Sequence, residues 1–328
     1  MKRHLWVSIG LVAGIVAAIL PLVALEGPSA TLLVRAFLNF GHIPLFGLIA
    51  TLLLLLIAQG FSEKLAPVWH YGGAFSVALI LGGLTELYQM IGPRDADFWD
   101  LARNFAGAAL ALVWCGTFDR RLDSTTIRRG NRVAYRAGAL ILGLIFLAPA
   151  VGVWSAYRER TDRFPVLFSF ETASQASFMY KRLAWFEFIS APDGWPGDPP
   201  ERVAHVIFGP LGGGALVFNE PHPDWSGHAA LVLELFHPGE RTIEVALRID
   251  DEMDSERYQD RFNRRLFLEP GFNRIRIPME EILAGPAERE LDTSSIDRLI
   301  LFAVEPVGGY EVFLGPLRLE PGKTATSS

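Results

Sequence analysis

Long apolar runs fill the first half of this chain and then stop. Leu, Ala, Gly, Ile and Val dominate as far as Tyr157, whereas charged residues, prolines and aromatics are frequent from Arg158 onward. Crossing the hydrocarbon core of a bilayer takes about 20 apolar residues in a helix. The sequence therefore predicts a membrane domain (1–157), an extracytoplasmic domain (158–322) and a disordered tail (323–328).

The apolar runs predict five transmembrane helices. The first run follows a basic N-terminus but lacks a small-residue cleavage site at its exit, so we expect an uncleaved helix rather than a signal peptide. An amphipathic connection, 26–40, is expected between the first two spans. The five predicted spans are 5–25, 41–58, 68–90, 98–118 and 135–154.

Lysines and arginines in the short loops set the expected orientation. Positive loops stay on the cytoplasmic side of a membrane. The N-terminus and the loops after spans two and four are basic, and with five spans all three share one side. The domain after span five is then extracytoplasmic. The residues that carry this bias are Lys2, Arg3, Lys64, Arg120, Arg121, Arg128, Arg129 and Arg132.

A polar hairpin between spans three and four holds the candidate site of the membrane half. Its acids and amides recur at helical spacing on both flanking spans. Ionisable groups this close to hydrocarbon are costly and usually face a partner or water. The predicted topology brings a histidine at the outer end of span two to the same level. The candidates are Glu86, Asp97 and Asp100 as catalytic groups, and His42, Gln89, Arg94 and Asn104 as ligand-binding groups.

Two interpretations of this hairpin remain open. In a pocket, Arg94 would offer a planar fork to phosphate or carboxylate, and Glu86 would act with an aspartate as acid or base. In a purely structural role, Arg94 would pair with the acids and Asn104 would tie the helices together. The histidine and carboxylates could also hold a divalent cation, but their spacing matches no metal signature, so neither a metal nor another cofactor is expected.

The second half of the chain predicts an all-β sandwich. Short runs with alternating hydrophobicity are separated by glycine and proline turns. A short helix is expected at 279–283. The predicted strands are 166–170, 203–208, 215–218, 230–236, 242–249, 273–278, 299–304 and 310–314.

Aromatic and planar side chains in this half are candidates for binding sugar rings. They are Trp225, Tyr258, Arg261 and Phe262, and the alternative for all four is packing in the core and loops. An acidic turn, Asp250, Asp251, Glu252 and Asp254, predicts a solvated loop, with a calcium site as the alternative.

The two halves resemble two known families. The membrane half resembles the VanZ-like proteins over about 40–114, through Gly41-His42, Glu86-x-x-Gln89, Arg94, Asp97, Asp100, Asn104 and Gly107. That family is associated with low-level glycopeptide (teicoplanin) resistance, which implies a place in the bacterial cell envelope. The second half is similar to galactose-binding-like jelly rolls of the carbohydrate-binding-module type, through Asp224-Trp225-Ser226-Gly227-His228, Pro270-Gly271-Phe272-Asn273 and the closing stretch 312–319.

These resemblances imply a multi-pass protein of the bacterial inner (cytoplasmic) membrane with a periplasmic sandwich. It would contact membrane lipid and bind or modify an envelope glycan or polyprenyl-linked lipid, and no nucleic-acid partner is expected. The alternative is a non-enzymatic scaffold whose sandwich binds a protein. Five spans without paired broken helices disfavour a transporter. The sequence has no nucleophile elbow, P-loop or dinucleotide fingerprint, so whether it catalyses a reaction stays open.

Overall fold

A computed structural model describes residues 2–24, 31–61, 65–91, 98–122, 131–209, 213–304 and 309–322. The chain forms two compact units, Met1–Val151 and Gly152–Ser328. Two candidate residues, Arg94 and Asp97, lie outside the described residues, as does the tail predicted at 323–328.

Five long helices follow one another from the N-terminus. Three of them contain stretches that are long and apolar enough to cross a membrane, namely Leu32–Gly60, Pro67–Tyr88 and Arg132–Arg163. The apolar stretch described in the first helix, Leu5–Leu20, is shorter. Five membrane crossings therefore remain a prediction. The helices are α1 (Lys2–Ala24), α2 (Leu32–Phe61), α3 (Pro67–Ile91), α4 (Phe98–Gly116) and α5 (Arg132–Arg163).

Two helix boundaries differ from the prediction by more than three residues. The segment expected as a connection forms the first turns of α2 from Leu32, because its amphipathic pattern is itself helical and no glycine or proline breaks it before Gly41. Helix α5 runs to Arg163, nine residues past the predicted end at 154, because the charged residues that end the apolar run are good helix formers. The boundary between the two units, at 151/152, thus lies inside α5 rather than at its end.

Helix α2 forms the centre of the helical unit. It packs against α1, α3 and α4, and its Phe46, Ile49 and Ala50 are fully buried. The backbones of α2 and α4 approach closely at Gly107, where an added Cβ would lie 2.2 Å from the Ile43 carbonyl oxygen. Small residues allow this kind of contact between membrane helices.

The second unit is a sandwich of two antiparallel sheets. The seven-stranded sheet has the order β1-β12-β6-β11-β4-β3, with β9 on the other edge of β6, and the five-stranded sheet has the order β2-β5-β10-β7-β8. The short helix α6 is Met279–Leu283. The strands are β1 (Val166–Phe168), β2 (Met179–Arg182), β3 (Ala184–Ile189), β4 (Val203–Phe208), β5 (Ala215–Asn219), β6 (His228–His237), β7 (Ile243–Asp251), β8 (Phe262–Leu268), β9 (Gly271–Pro278), β10 (Ile296–Ala303), β11 (Tyr310–Leu314) and β12 (Leu317–Pro321).

All eight predicted strands and the short helix are present, within three residues at their ends. Four further strands, β2, β3, β8 and β12, were not predicted. Successive side chains of a strand point to opposite faces of its sheet. In β7, for example, Val245, Leu247 and Ile249 are buried in the core, so the residues between them lie on the outer face of the five-stranded sheet.

Candidate functional site

Three candidate residues of the helical unit meet in one buried cluster. His42 on α2 contacts Asn104 on α4, with 2.8 Å between Nδ1 and the amide oxygen, and Asn104 donates its amide N–H to Glu86 on α3 at 3.4 Å. All three side chains are buried. Because an amide oxygen only accepts hydrogen bonds, this arrangement places the imidazole proton on Nδ1. Asn104 thus links an imidazole to a carboxyl group across three helices.

Asp100 is the remaining hairpin candidate whose side chain the structure describes, and it does not join this cluster. Asp100 is buried and forms an ion pair with Arg103, one turn further along α4. Sequence reasoning did not single out Arg103, although its spacing of three from Asp100 is typical of helical ion pairs. Gln89 lies on α3, and its side chain lies outside the described residues. No group of three or more histidine, cysteine or carboxylate side chains among the described residues is placed to hold a metal ion.

The predicted sugar platform of the sandwich is not assembled. Trp225 is fully buried and donates its indole N–H to the His222 carbonyl at 2.7 Å, while Phe262 faces the core from β8. Neither ring offers a face to a ligand, so these two assignments are corrected to core packing. Tyr258 is exposed, with the Arg261 guanidinium 5.9 Å from its ring centre. Only these two of the four predicted residues lie near a surface together.

The acidic turn is also corrected, because its first two carboxylates are buried ion-pair partners rather than part of a solvated loop. Asp250 accepts hydrogen bonds of 2.5 Å from Nε of both Arg248 and Arg298. Asp254 accepts a second bond from Arg248, at 3.0 Å. Buried charges are tolerated when they are paired and hydrogen-bonded in this way.

Asp251, the other buried carboxylate, pairs with Arg289, which also bonds Asp260 at 2.6 Å. Hydrogen bonds from Ser255, and then from Arg289, lower the pKa of Asp260 to about 2. Asp260 therefore stays ionised at physiological pH. The loop between β7 and β8 is fixed at both ends by these ion pairs.

The ion pairs of Asp250 hold two arginines on the outer face of the five-stranded sheet. Burial lowers the pKa of Arg298, but the hydrogen bond and charge of Asp250 outweigh it and raise that pKa overall, so the guanidinium stays charged. Within the described residues, neither Arg248 nor Arg298 has a partner for its Nη1 atom. Each Nη1 is a donor on a guanidinium group whose orientation its ion pairs fix, which lowers the entropic cost of binding a ligand there.

One row of residues crosses this face from edge to edge. The register places Arg182 on β2, Ala215 on β5, Phe302 on β10, Ala246 on β7 and Arg265 on β8 side by side. Neighbouring strands lie about 4.8 Å apart, so the row is about 19 Å long. The two alanines leave the ring of Phe302 standing between them, with an arginine at each end.

The centre of the face is shielded while its edges are exposed. Tyr180 on edge strand β2 is 61% exposed, whereas Ile300 in the same register row is 7% exposed. Likewise, Ala215 in the central part is 2% exposed and the side chain of Arg265 on β8 is 73% exposed. We describe this face, bounded by β2 and β8, as the sheet hollow. Sequence reasoning missed it because neither edge strand was predicted, and β8, whose sequence is Phe-Asn-Arg-Arg-Leu-Phe-Leu, lacks a clear alternation of apolar and polar residues.

Comparison with solved structures shows that the sandwich resembles carbohydrate-binding modules and parts of glycoside hydrolases. The family 11 carbohydrate-binding module from Clostridium thermocellum, solved with a β-1,3-1,4-mixed-linked tetrasaccharide, is 13% identical, with a TM-score of 0.39 over 48% of this chain and 95% of that one. An exo-β-agarase is 17% identical, with a TM-score of 0.40 over 48% of this chain and 25% of the agarase.

No protein family and no curated protein matches this chain in sequence. The resemblance of the membrane half to VanZ-like proteins thus remains a prediction from its residues.

Proposed function

We propose that this protein is a membrane-anchored glycan-binding protein of the bacterial cell envelope, and that the sheet hollow is its binding site. The row that places Phe302 between two alanines, with arginines at both ends, carries this proposal. An aromatic ring gives a pyranose an apolar face to stack on, and the small neighbours leave room for it. Oriented guanidinium groups then donate hydrogen bonds to sugar oxygens.

The proposed membrane anchor rests on the helices and loops of the first unit. Three stretches are long and apolar enough to span. The exposed surface of α5 is rich in large apolar residues such as Leu140, Leu144 and Ile145, which suits contact with lipid tails rather than water. The basic loops support a cytoplasmic start of the chain and a sandwich on the other side of the membrane, as the positive-inside rule would have it.

A second proposed function concerns the buried cluster of His42, Asn104 and Glu86. Polar and ionisable groups inside a membrane are costly and usually functional. We propose that this cluster takes part in binding or modifying an envelope glycan carried on a lipid, such as a polyprenyl-linked one. The competing possibility is a scaffold, in which the cluster only joins the helices and the sandwich binds a protein partner.

A glycan array probed with the full chain in detergent tests the first proposal. We expect wild-type protein to bind envelope-type oligosaccharides and Phe302→Ala to bind about tenfold more weakly, which corresponds to ~1.4 kcal/mol. The matched control is Trp185→Ala, which removes an exposed aromatic ring from the other sheet and should leave binding unchanged. Absence of glycan binding, with capture of a protein partner instead, would favour the scaffold.

A further inference from the structure

We infer that the sheet hollow selects acidic glycans, whose carboxylate or other oxyanion groups pair with Arg182 and Arg265 at opposite ends of the Phe302 row. This inference rests on the proposed function and specifies its ligand class. The two arginines lie on the edge strands β2 and β8, and both side chains are exposed. A saccharide lying across the strands would stack at Phe302 and reach an arginine in either direction.

The positive charge of this face that has no carboxylate beside it lies at one edge. Four arginines lie on the face: Arg182, Arg248, Arg265 and Arg298. Four carboxylates lie beside three of these arginines, so the formal charges of the face balance. The side chains of Asp250 and Asp254 are 0% and 5% exposed, whereas those of Glu244, which pairs with Arg265, and Asp297, which lies 3.9 Å from Arg298, are 24% and 45% exposed. Arg182 on the edge strand β2 is therefore the position where an anionic group of a ligand would meet uncompensated positive charge.

Of the four arginines, Arg182 gives the strongest support for an anionic ligand. Among the described residues it has no carboxylate partner and no hydrogen-bond acceptor for its guanidinium group. An exposed guanidinium without a partner keeps its planar fork available for a carboxylate, sulfate or phosphate group. Among the described residues Arg265 has one partner, the partly exposed Glu244, and its own side chain is 73% exposed. Ion pairs at a surface contribute little, so a ligand anion can exchange with Glu244.

The distribution of exposure on the face favours a glycan over an anionic membrane surface. The side chains of Tyr180 and Arg265 on the edge strands are exposed, whereas Ile300 and Ala215 between them are buried, so a flat lipid layer would contact mainly the two edge strands. A saccharide is narrow enough to lie between them and contact Phe302 and the oriented Nη1 atoms of Arg248 and Arg298. One ligand can then pair its anionic groups with the arginines at the ends of the row and stack a sugar ring on Phe302 in the middle.

The test compares two forms of one oligosaccharide, a uronic-acid hexamer and its neutral carboxyl-reduced counterpart. Calorimetry would use the full chain in nanodiscs of zwitterionic lipid, which removes competition from anionic headgroups. We expect the acidic form to bind at least about tenfold tighter, and this preference to shrink at high salt because exposed charges are screened. A sulfated hexamer of the same length distinguishes carboxylate recognition from general anion recognition.

The double variant Arg182→Gln/Arg265→Gln should lose the preference, so that it binds the acidic and the neutral hexamer equally. The matched control, Arg274→Gln, removes an exposed arginine from the seven-stranded sheet and should preserve the preference. Equal binding of the two hexamers would overturn this inference while leaving the glycan proposal standing. Acidic preference that survives in the double variant would overturn the assignment to these arginines, and no binding of either hexamer would overturn the proposed function itself.

Discussion

A methyl group added at Gly107 should separate α2 from α4 and break the buried cluster. The added Cβ would lie 2.2 Å from the Ile43 carbonyl oxygen and 2.8 Å from its Cα, and both are backbone atoms that cannot rotate away. Ordinary van der Waals contact begins at 3.4 Å, so the helices must part locally by 1.2 Å, the difference between 3.4 and 2.2 Å. Glycine is therefore required here by close approach rather than by backbone conformation.

Separating the helices would also move His42 and Asn104 apart. His42 lies one residue before Ile43 on α2, and Asn104 lies three residues before Gly107 on α4. Their 2.8 Å hydrogen bond would lengthen to about 4 Å, beyond the limit for a hydrogen bond. Overpacking costs about 1–3 kcal/mol, and leaving a buried polar pair unsatisfied costs a similar amount. We expect Gly107→Ala to lower the free energy of unfolding of the helical unit by about 2–6 kcal/mol.

A thiol-reactive fluorescent dye can follow the unfolding of this unit selectively, because the only cysteine of the chain, Cys115, lies on α4 and packs against the helical core. Thermal melts in detergent would compare Gly107→Ala with Gly83→Ala, whose Cβ would meet open space on α3. The control should melt at or slightly above the wild-type temperature, because alanine is the better helix former. If both variants melted alike, the close approach of α2 and α4 would be refuted.

Three further predictions concern single side chains. Glu86→Gln keeps an acceptor for Asn104, so membrane abundance should hold while any envelope phenotype is lost, and blots beside a phenotype assay would show whether the two instead fall together. The pKa of Asp260 is lowered from 3.8 to about 2, so the stability that its ion pair contributes is present above pH 4 and is lost as the pH falls through 2. Hydrogen exchange of the loop between β7 and β8 would measure this loss, and Asp260→Asn should abolish its dependence on pH. Glu159→Ala removes the acceptor of three sandwich side chains, those of Thr172, Ser174 and Gln175, and should lower the unfolding temperature of the sandwich measured by circular dichroism, whereas the exposed Glu187→Ala should change it much less.

The helices could be predicted from the sequence because long apolar runs have few alternatives in a bilayer. The meeting of His42 with Asn104 and Glu86 also followed from topology, since helix order and orientation fix which ends lie at one level. The start of α2 was not predicted because the amphipathic pattern within 26–40 is typical both of a separate surface helix and of the first turns of a longer helix. Helix boundaries depend on such local competition.

The sheet hollow could not be predicted because its parts are distant in sequence. Asp250 looked like part of an acidic turn, yet its partner Arg298 lies 48 residues away and is brought to it only by the pairing of β7 with β10. Trp225 looked like a sugar platform because aromatic residues suit both cores and ligand sites. Its burial depends on the packing of the whole sandwich, which no local pattern contains.

Hydrogen exchange measured by mass spectrometry on the full chain, with and without a saturating acidic oligosaccharide, tests the central claim most directly. Our account predicts slower exchange on binding in β2, β10 and β8, which contribute Arg182, Phe302 and Arg265 to the sheet hollow, and no change in β3 and β4 of the other sheet. Protection confined to β3 and β4, around Trp185 and His205, would contradict it.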